Sequence, residues 1–201
     1  MIMKNIFRSI SIITAAVLIL LSVSCSAPIT DDEAREILGD LVPKSQELNA
    51  IFWSDALPLE DKEAAPVKSV TAAQYYEVSS ESKYQTVEQL KQAAEEVFSS
   101  DYLSDLYPIL FDGFSETDAE GSEYNTQPRY TNSKNGILAR DISSFTLEFT
   151  TKIDTTNAHV VKSGSDIVRV EVDAEINGEE TTMDITLRYQ NGKWLIDSPT
   201  Y

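Results

Sequence analysis

The chain has 201 residues, with 33 acidic against 16 basic side chains and a formal net charge of −17 at pH 7. A field of that sign repels nucleic acid and anionic wall or membrane polymers, which sets nucleic-acid binding aside and favours basic partners or plain solubility. With one cysteine and one histidine, neither a disulfide framework nor a zinc site built from His and Cys can be assembled.

At the N-terminus, Lys4 and Arg8 precede an uncharged segment, residues 9–24, whose centre "IITAAVLILL" is continuously apolar. A positive start, a short oily middle and small residues at the end form the layout of a secretory signal. The run falls short of the roughly 20 apolar residues a spanning helix needs, so cleavage is expected rather than spanning. "LSVSC" resembles a bacterial lipobox, in which the cysteine becomes the acylated first residue of the mature chain; Ser22 stands where the best lipoboxes carry Leu, and Leu21 sits one place earlier. Two acyl chains, at about 0.8 kcal/mol per buried methylene, hold a soluble domain on a membrane. The expected organisation is therefore a lipoprotein signal over 1–25 with Cys25 as the lipid attachment site, a short tether over 26–30, and one domain over 31–201 at the extracytoplasmic face of the cell membrane. Removing the two basic and no acidic residues of the signal leaves 14 against 33, a formal charge of −19 on the mature part. About 170 residues suffice for one hydrophobic core.

The first structural signal of that domain is "TDDE", a capping box with Thr30 as N-cap and Glu33 reaching back. Ala34, Ile37, Leu38, Leu41, Leu48, Ile51 and Phe52 then recur on one face, which predicts a helix over about 31–53, kinked or broken at Pro43. "SDALPLEDKEAAPVKS" reads as a loop and "AQYYEVSS" as a short strand. Thr86 opens a second capping box with Gln89, followed by a helix whose apolar face is Val87, Leu90, Ala93, Ala94, Val97 and Phe98. "SSDYLSDLYPIL" predicts a further short helix toward Pro108. The run "GFSETDAEGSEYNTQ" is polar, acidic and aperiodic and reads as a surface loop.

The period then changes. "QPRYTNSKNGILARD" predicts a hairpin, and "FTLEFTTKI" a strand with Phe145, Leu147, Phe149 and Ile153 inward. "IVRVEVDAEI" places Val168, Val170, Val172, Ala174 and Ile176 on one face and reaches the turn Asn177-Gly178. "TTMDITLRYQ" places Met183, Ile185, Leu187 and Tyr189 on one face up to Asn191-Gly192, and "KWLID" closes the chain's last hairpin. Asn-Gly favours the type I′ turn whose twist matches paired strands. The expected fold is α+β, with N-terminal helices packed on a C-terminal antiparallel meander.

Catalysis by a Ser-His-Asp or Cys-His set needs a histidine beside a nucleophile, and His159 falls at the start of a predicted strand with no serine elbow in the chain. No enzymatic activity and no cofactor are expected. The nearest approach to a metal motif starts at Glu116 and puts Glu116, Asp118, Glu120 and Gly121 at positions one, three, five and six of a calcium loop. Position twelve is Gln127 in place of the bidentate Glu, so a flexible acidic loop is the preferred reading and no metal is assigned. Among the aromatics, Trp53 lies one step off the helix face at the start of a loop and is the candidate binding anchor.

Two stretches, "YYEVSSESKYQTVEQLKQAAEEVFSSDYLSDLY" and the closing "ITLRYQNGKWLIDSPTY", resemble the IseA-type DL-endopeptidase inhibitor family of Gram-positive bacteria. The resemblance implies inhibition of NlpC-type cysteine peptidases that cut peptidoglycan stem peptides, by occupation of the peptidase cleft and without catalytic residues. The lipid anchor departs from family members that are freely secreted. The partner-contacting residues expected on this reading are Trp53, Glu116, Asp118, Glu120 and Glu123, from the segment after the first helix and the acidic run 115–127. A second reading is a non-enzymatic ligand-binding or envelope assembly module, with a small apolar molecule on the concave face of the meander. The bulky inward Val, Ile, Leu, Met and Phe side chains of the strands leave little room for one.

Overall fold

The computed structural model describes residues 29–201 except 62, 64, 118–119, 145 and 148–149. The signal segment and Cys25 lie outside the described residues, and among the described residues no helix is long and apolar enough to cross a membrane.

Helix α1 spans Asp31–Trp53. Thr30 accepts the Glu33 N–H at 3.3 Å and Glu33 accepts the Thr30 N–H at 2.7 Å, so the reciprocal cap forms as the "TDDE" pattern predicts, with Asp31, Asp32 and Glu33 at the positive end. Pro43 lies inside the helix without splitting it. An interior proline costs about 3 kcal/mol, but Leu38, Leu41 and Val42 before it and Ser45, Leu48 and Asn49 after it are all buried, so both halves are held on the same core.

Strands β1 (Lys68–Val70) and β2 (Ala73–Glu77) follow, then α2 (Val87–Glu95), α3 (Ser100–Tyr107) and a π-helical turn, Pro108–Asp112. Thr86 caps α2 through the Gln89 N–H, but the Gln89 side chain accepts from the Gln85 N–H at 2.7 Å rather than from Thr86, so half of the expected second capping box is displaced by one residue. The chain continues through β3 (Phe114–Thr117), β4 (Glu123–Thr126), β5 (Tyr130–Asn132), β6 (Leu138–Asp141), β7 (Lys152–Ser163), β8 (Ile167–Ile176), β9 (Glu179–Gln190) and β10 (Lys193–Ile196).

The fold is α+β, as the sequence predicts. Its strands form two four-stranded antiparallel sheets, in the orders β1-β2-β6-β5 and β10-β9-β8-β7, and a separate two-stranded ribbon, β3-β4. The second sheet is the expected meander. Val168, Val170, Val172, Ile185 and Leu187 are buried on its inner face, and its Asn-Gly turns take the positive φ values of a type I′ turn, 54° and 85° at Asn177 and Gly178, 52° and 84° at Asn191 and Gly192. One hydrophobic cluster joins this face to α1, α2 and α3. The helical half is stitched to the sheet where Phe98 bridges Ile196 in parallel and the Ser99 N–H donates to the Ile196 carbonyl at 2.8 Å.

Two expectations are corrected. Within the run 113–127, residues 114–117 and 123–126 are not loop but the paired strands β3 and β4. The strand expected from "FTLEFTTKI" begins only at Lys152; Leu147 is exposed, and Phe145 and Phe149 lie outside the described residues. The Leu147 N–H donates to the Trp53 carbonyl at 2.7 Å, which ties Leu147 to the end of α1.

Candidate functional site: an acidic ribbon above a cleft

Gly113 sets the foot of the ribbon. Its φ is +72°, and a Cβ there would meet the Thr126 carbonyl oxygen at 2.8 Å and Pro128 Cδ at 3.2 Å, so only glycine permits both the backbone turn and the close approach. From there Phe114 pairs with Thr126, Ser115 with Asn125, Glu116 with Tyr124 and Thr117 with Glu123. Alternation places Glu116 and Tyr124 on one face and Thr117 and Glu123 on the other. The outer residues of both strands are exposed, with Tyr124 at 47 %. The Tyr124 hydroxyl donates to the Glu116 carboxylate across the strands, and that bond raises the phenol above its ordinary range.

Of the residues set against the calcium-loop pattern, Glu116 sits on a strand with its carboxylate bonded to the Tyr124 hydroxyl. Glu120 is exposed in the turn, and Asp118 lies outside the described residues. Among the described residues no group of three or more His, Cys, Asp or Glu side chains is placed to hold a metal ion.

At the foot of the ribbon lies a cleft of about 230 Å³, bounded by Trp53, Ala73, Ile109, Thr126, Arg129 and Asp141. Trp53 is corrected from its expected place: it is the last residue of α1, only 5 % exposed, with its ring 5.9 Å from that of Tyr201. The helix ends at Trp53, within the expected 31–53 range, and the Ser54 N–H closes its last turn on the Ala50 carbonyl at 3.0 Å. Trp53 is thus a wall of the cleft rather than an exposed anchor. The structure brings it together with the inner end of β4, while Glu116, Glu120 and Glu123 lie further out along the ribbon and do not line the cleft.

Sequence reasoning missed the charged cluster behind this cleft. Arg140, with a side chain 2 % exposed, lies 2.9 Å from Asp55, and the Nη2 of buried Arg129 lies 3.9 Å from the same carboxylate. Arg129 also donates to Ser144 Oγ and to the Ser54 carbonyl, each at 2.7 Å. Asp141 accepts from the Gln74 and Ser143 N–H groups at 2.8 and 3.0 Å and from Ser143 Oγ at 2.8 Å. The charges therefore hold the segment after α1 against β6, and fix the walls of the cleft. No local signal marks Arg140 in the sequence, because every residue of β6 is buried and alternation does not single it out.

His159 lies within β7, half-exposed, with Nε2 3.5 Å from Glu171 on the neighbouring strand. The inner face of the meander, where the second reading would place an apolar ligand, is occupied by side chains of the main core.

Four tyrosines tie this region and the helices to pH. Burial, with the Asp141 charge, pushes Tyr75 up to about 12 from 10.0; burial likewise raises Tyr102, Tyr107 and Tyr130. Above pH 10 the unfolded chain loses phenolic protons that the folded chain keeps, so the slope of stability against pH is negative there. Stability is expected to be undiminished by these groups below pH 10 and to fall as pH rises from 10 toward 12, with the last part of the phenolate absorbance, that of these four rings, appearing together with loss of tertiary circular dichroism. Ionisation of all nine tyrosines near pH 10 in a still-folded protein would contradict it.

The sequence matches no protein-family model, and no curated protein is detectably similar to it.

Proposed function

We propose that this chain is a membrane-anchored extracytoplasmic lipoprotein that binds and inhibits a peptidoglycan DL-endopeptidase of the NlpC type. The observation that carries the reading is the acidic ribbon rising from a cleft whose charged wall residues, Arg129 and Asp141, are held by hydrogen bonds within the fold. A peptidase that cuts stem peptides has a groove shaped for a narrow, extended, carboxylate-bearing chain. The β3-β4 ribbon is of that kind: narrow, extended, and lined by Glu116 and Glu123. Tyr124 is its natural anchor, because its ring is exposed while its hydroxyl is already held by Glu116, so little side-chain freedom remains to be lost on binding. Inhibition on this reading is occupancy: the chain blocks the groove and performs no chemistry. The lipobox-like "LSVSC" at Cys25 would confine the inhibitor to the wall nearest the membrane.

The experiment is an inhibition assay. The full-length chain in mild detergent is titrated into an NlpC-type DL-endopeptidase of the same organism cutting a fluorogenic stem peptide. Saturable inhibition at about one inhibitor per enzyme supports the reading, and full activity of every such peptidase at micromolar inhibitor overturns it. Extraction into detergent with a mass increase at Cys25 tests the anchor separately.

A further inference from the structure

The ribbon has an unusual status among the sheets of this fold. It holds only two strands, and neither outer edge has a ladder partner among the described residues. A bare hairpin is marginal in water, and an open edge is a template for another strand. The inner end of β4, at Asn125 and Thr126, forms one lip of the cleft, and Ala72 and Ala73 form part of the other. An extended segment laid along β4 would therefore run its side chains alternately into the cleft and away from it, about 6.6 Å apart on each face.

We infer that the β4 edge is a strand-addition site for an extended partner segment in which basic residues alternate with apolar ones, an apolar side chain entering the cleft beside Trp53. This deepens the inhibitor reading and rests on it for the identity of the partner. Charge selects the occupant. Glu116, Glu120 and Glu123 are exposed on the ribbon and its turn, in a chain of net charge −17, so a second copy of this chain would bring like charges together, whereas a basic strand would be drawn in. The two charges in the cleft wall, Arg129 and Asp141, are opposite in sign and each is hydrogen-bonded within the fold, so the cleft itself asks for an apolar group. Its 230 Å³ suits one side chain of the size of Leu, Met or Phe. Main-chain hydrogen bonds to β4 would supply affinity, and the cleft and the glutamates would supply selectivity.

The test uses the full-length chain in mild detergent and three synthetic probes: acetyl-KVKLKV-amide, its analogue N-methylated at alternate amides, and acetyl-EVELEV-amide. Fluorescence anisotropy is expected to give the first probe a Kd in the range of about 10–100 μM, with slowed amide exchange confined to residues 123–126. The N-methylated probe should bind at least about tenfold more weakly, since it keeps the charge but cannot complete the ladder. The acidic probe should not bind, and the double variant Glu116→Lys, Glu123→Lys, checked for native circular dichroism, should lose the first probe. Equal binding of the N-methylated probe, or protection away from β4, would overturn strand addition. Peptidase inhibition without probe binding at β4 would overturn this inference and leave the inhibitor reading standing. Probe binding at β4 with no peptidase inhibited would support strand addition and sink the inhibitor reading.

Discussion

Phe52→Ala is expected to lower the unfolding free energy by about 3–5 kcal/mol, the range for emptying a large aromatic site in a packed core. Phe52 is fully buried one residue before Trp53, with its ring 6.4 Å from Phe98 and 6.5 Å, edge-on, from Phe111. Those rings belong to the connection between α2 and α3 and to the π-helical turn leading into the ribbon, so the truncation opens a void where three segments meet. Urea unfolding should show a lower midpoint at an unchanged slope. Phe52→Leu, which retains most of the volume, should cost about 1–1.5 kcal/mol. A loss below about 1 kcal/mol for the alanine variant would mean that the end of α1 does not anchor the core.

Asp55→Ala is expected to be the most damaging change on a residue that is itself largely exposed. Its side chain is 63 % exposed, yet it is the carboxylate 2.9 Å from Arg140, whose guanidinium is almost wholly buried. Breaking a fully buried pair costs about 3–5 kcal/mol; water reaches one side of this pair, so about 2–3 kcal/mol is expected. The double variant Asp55→Ala, Arg140→Met should recover part of the loss, because it removes the stranded charge and fills the space with an apolar chain of similar length. Additive losses in the double variant would contradict this account of the cluster.

The parts of the fold legible in sequence are those set by local chemistry. The Thr30-Glu33 cap, the alternation of Val168, Val170 and Val172, and the two Asn-Gly turns each carry their own physical cause within a few residues. The ribbon was illegible because neither of its strands has a buried face. Alternation exposes a strand only when one side is apolar, and "SET" and "EYNT" are polar on both. Arg140 was illegible for the opposite reason: every residue of β6 is buried, so polarity and burial part company there, and the Asp55 that pairs with it lies 85 positions away in sequence. Of the two segments expected to act together, only the acidic run reaches the cleft, through the inner end of β4; on the other side it is Trp53, the last residue of α1, and not the segment after the helix, that lines it. The glutamates expected to share that surface stand beyond it, because a ribbon carries them outward.

The measurement that bears most directly on the proposed function is the inhibition constant of the full-length chain against an NlpC-type DL-endopeptidase, set beside that of the folded Glu116→Lys, Glu123→Lys variant. Tight inhibition by the native chain that weakens by about tenfold or more in the variant, some 1.4 kcal/mol, is the predicted result. Equal inhibition by both would remove the ribbon from the contact, and no inhibition by the native chain would contradict the function proposed for it.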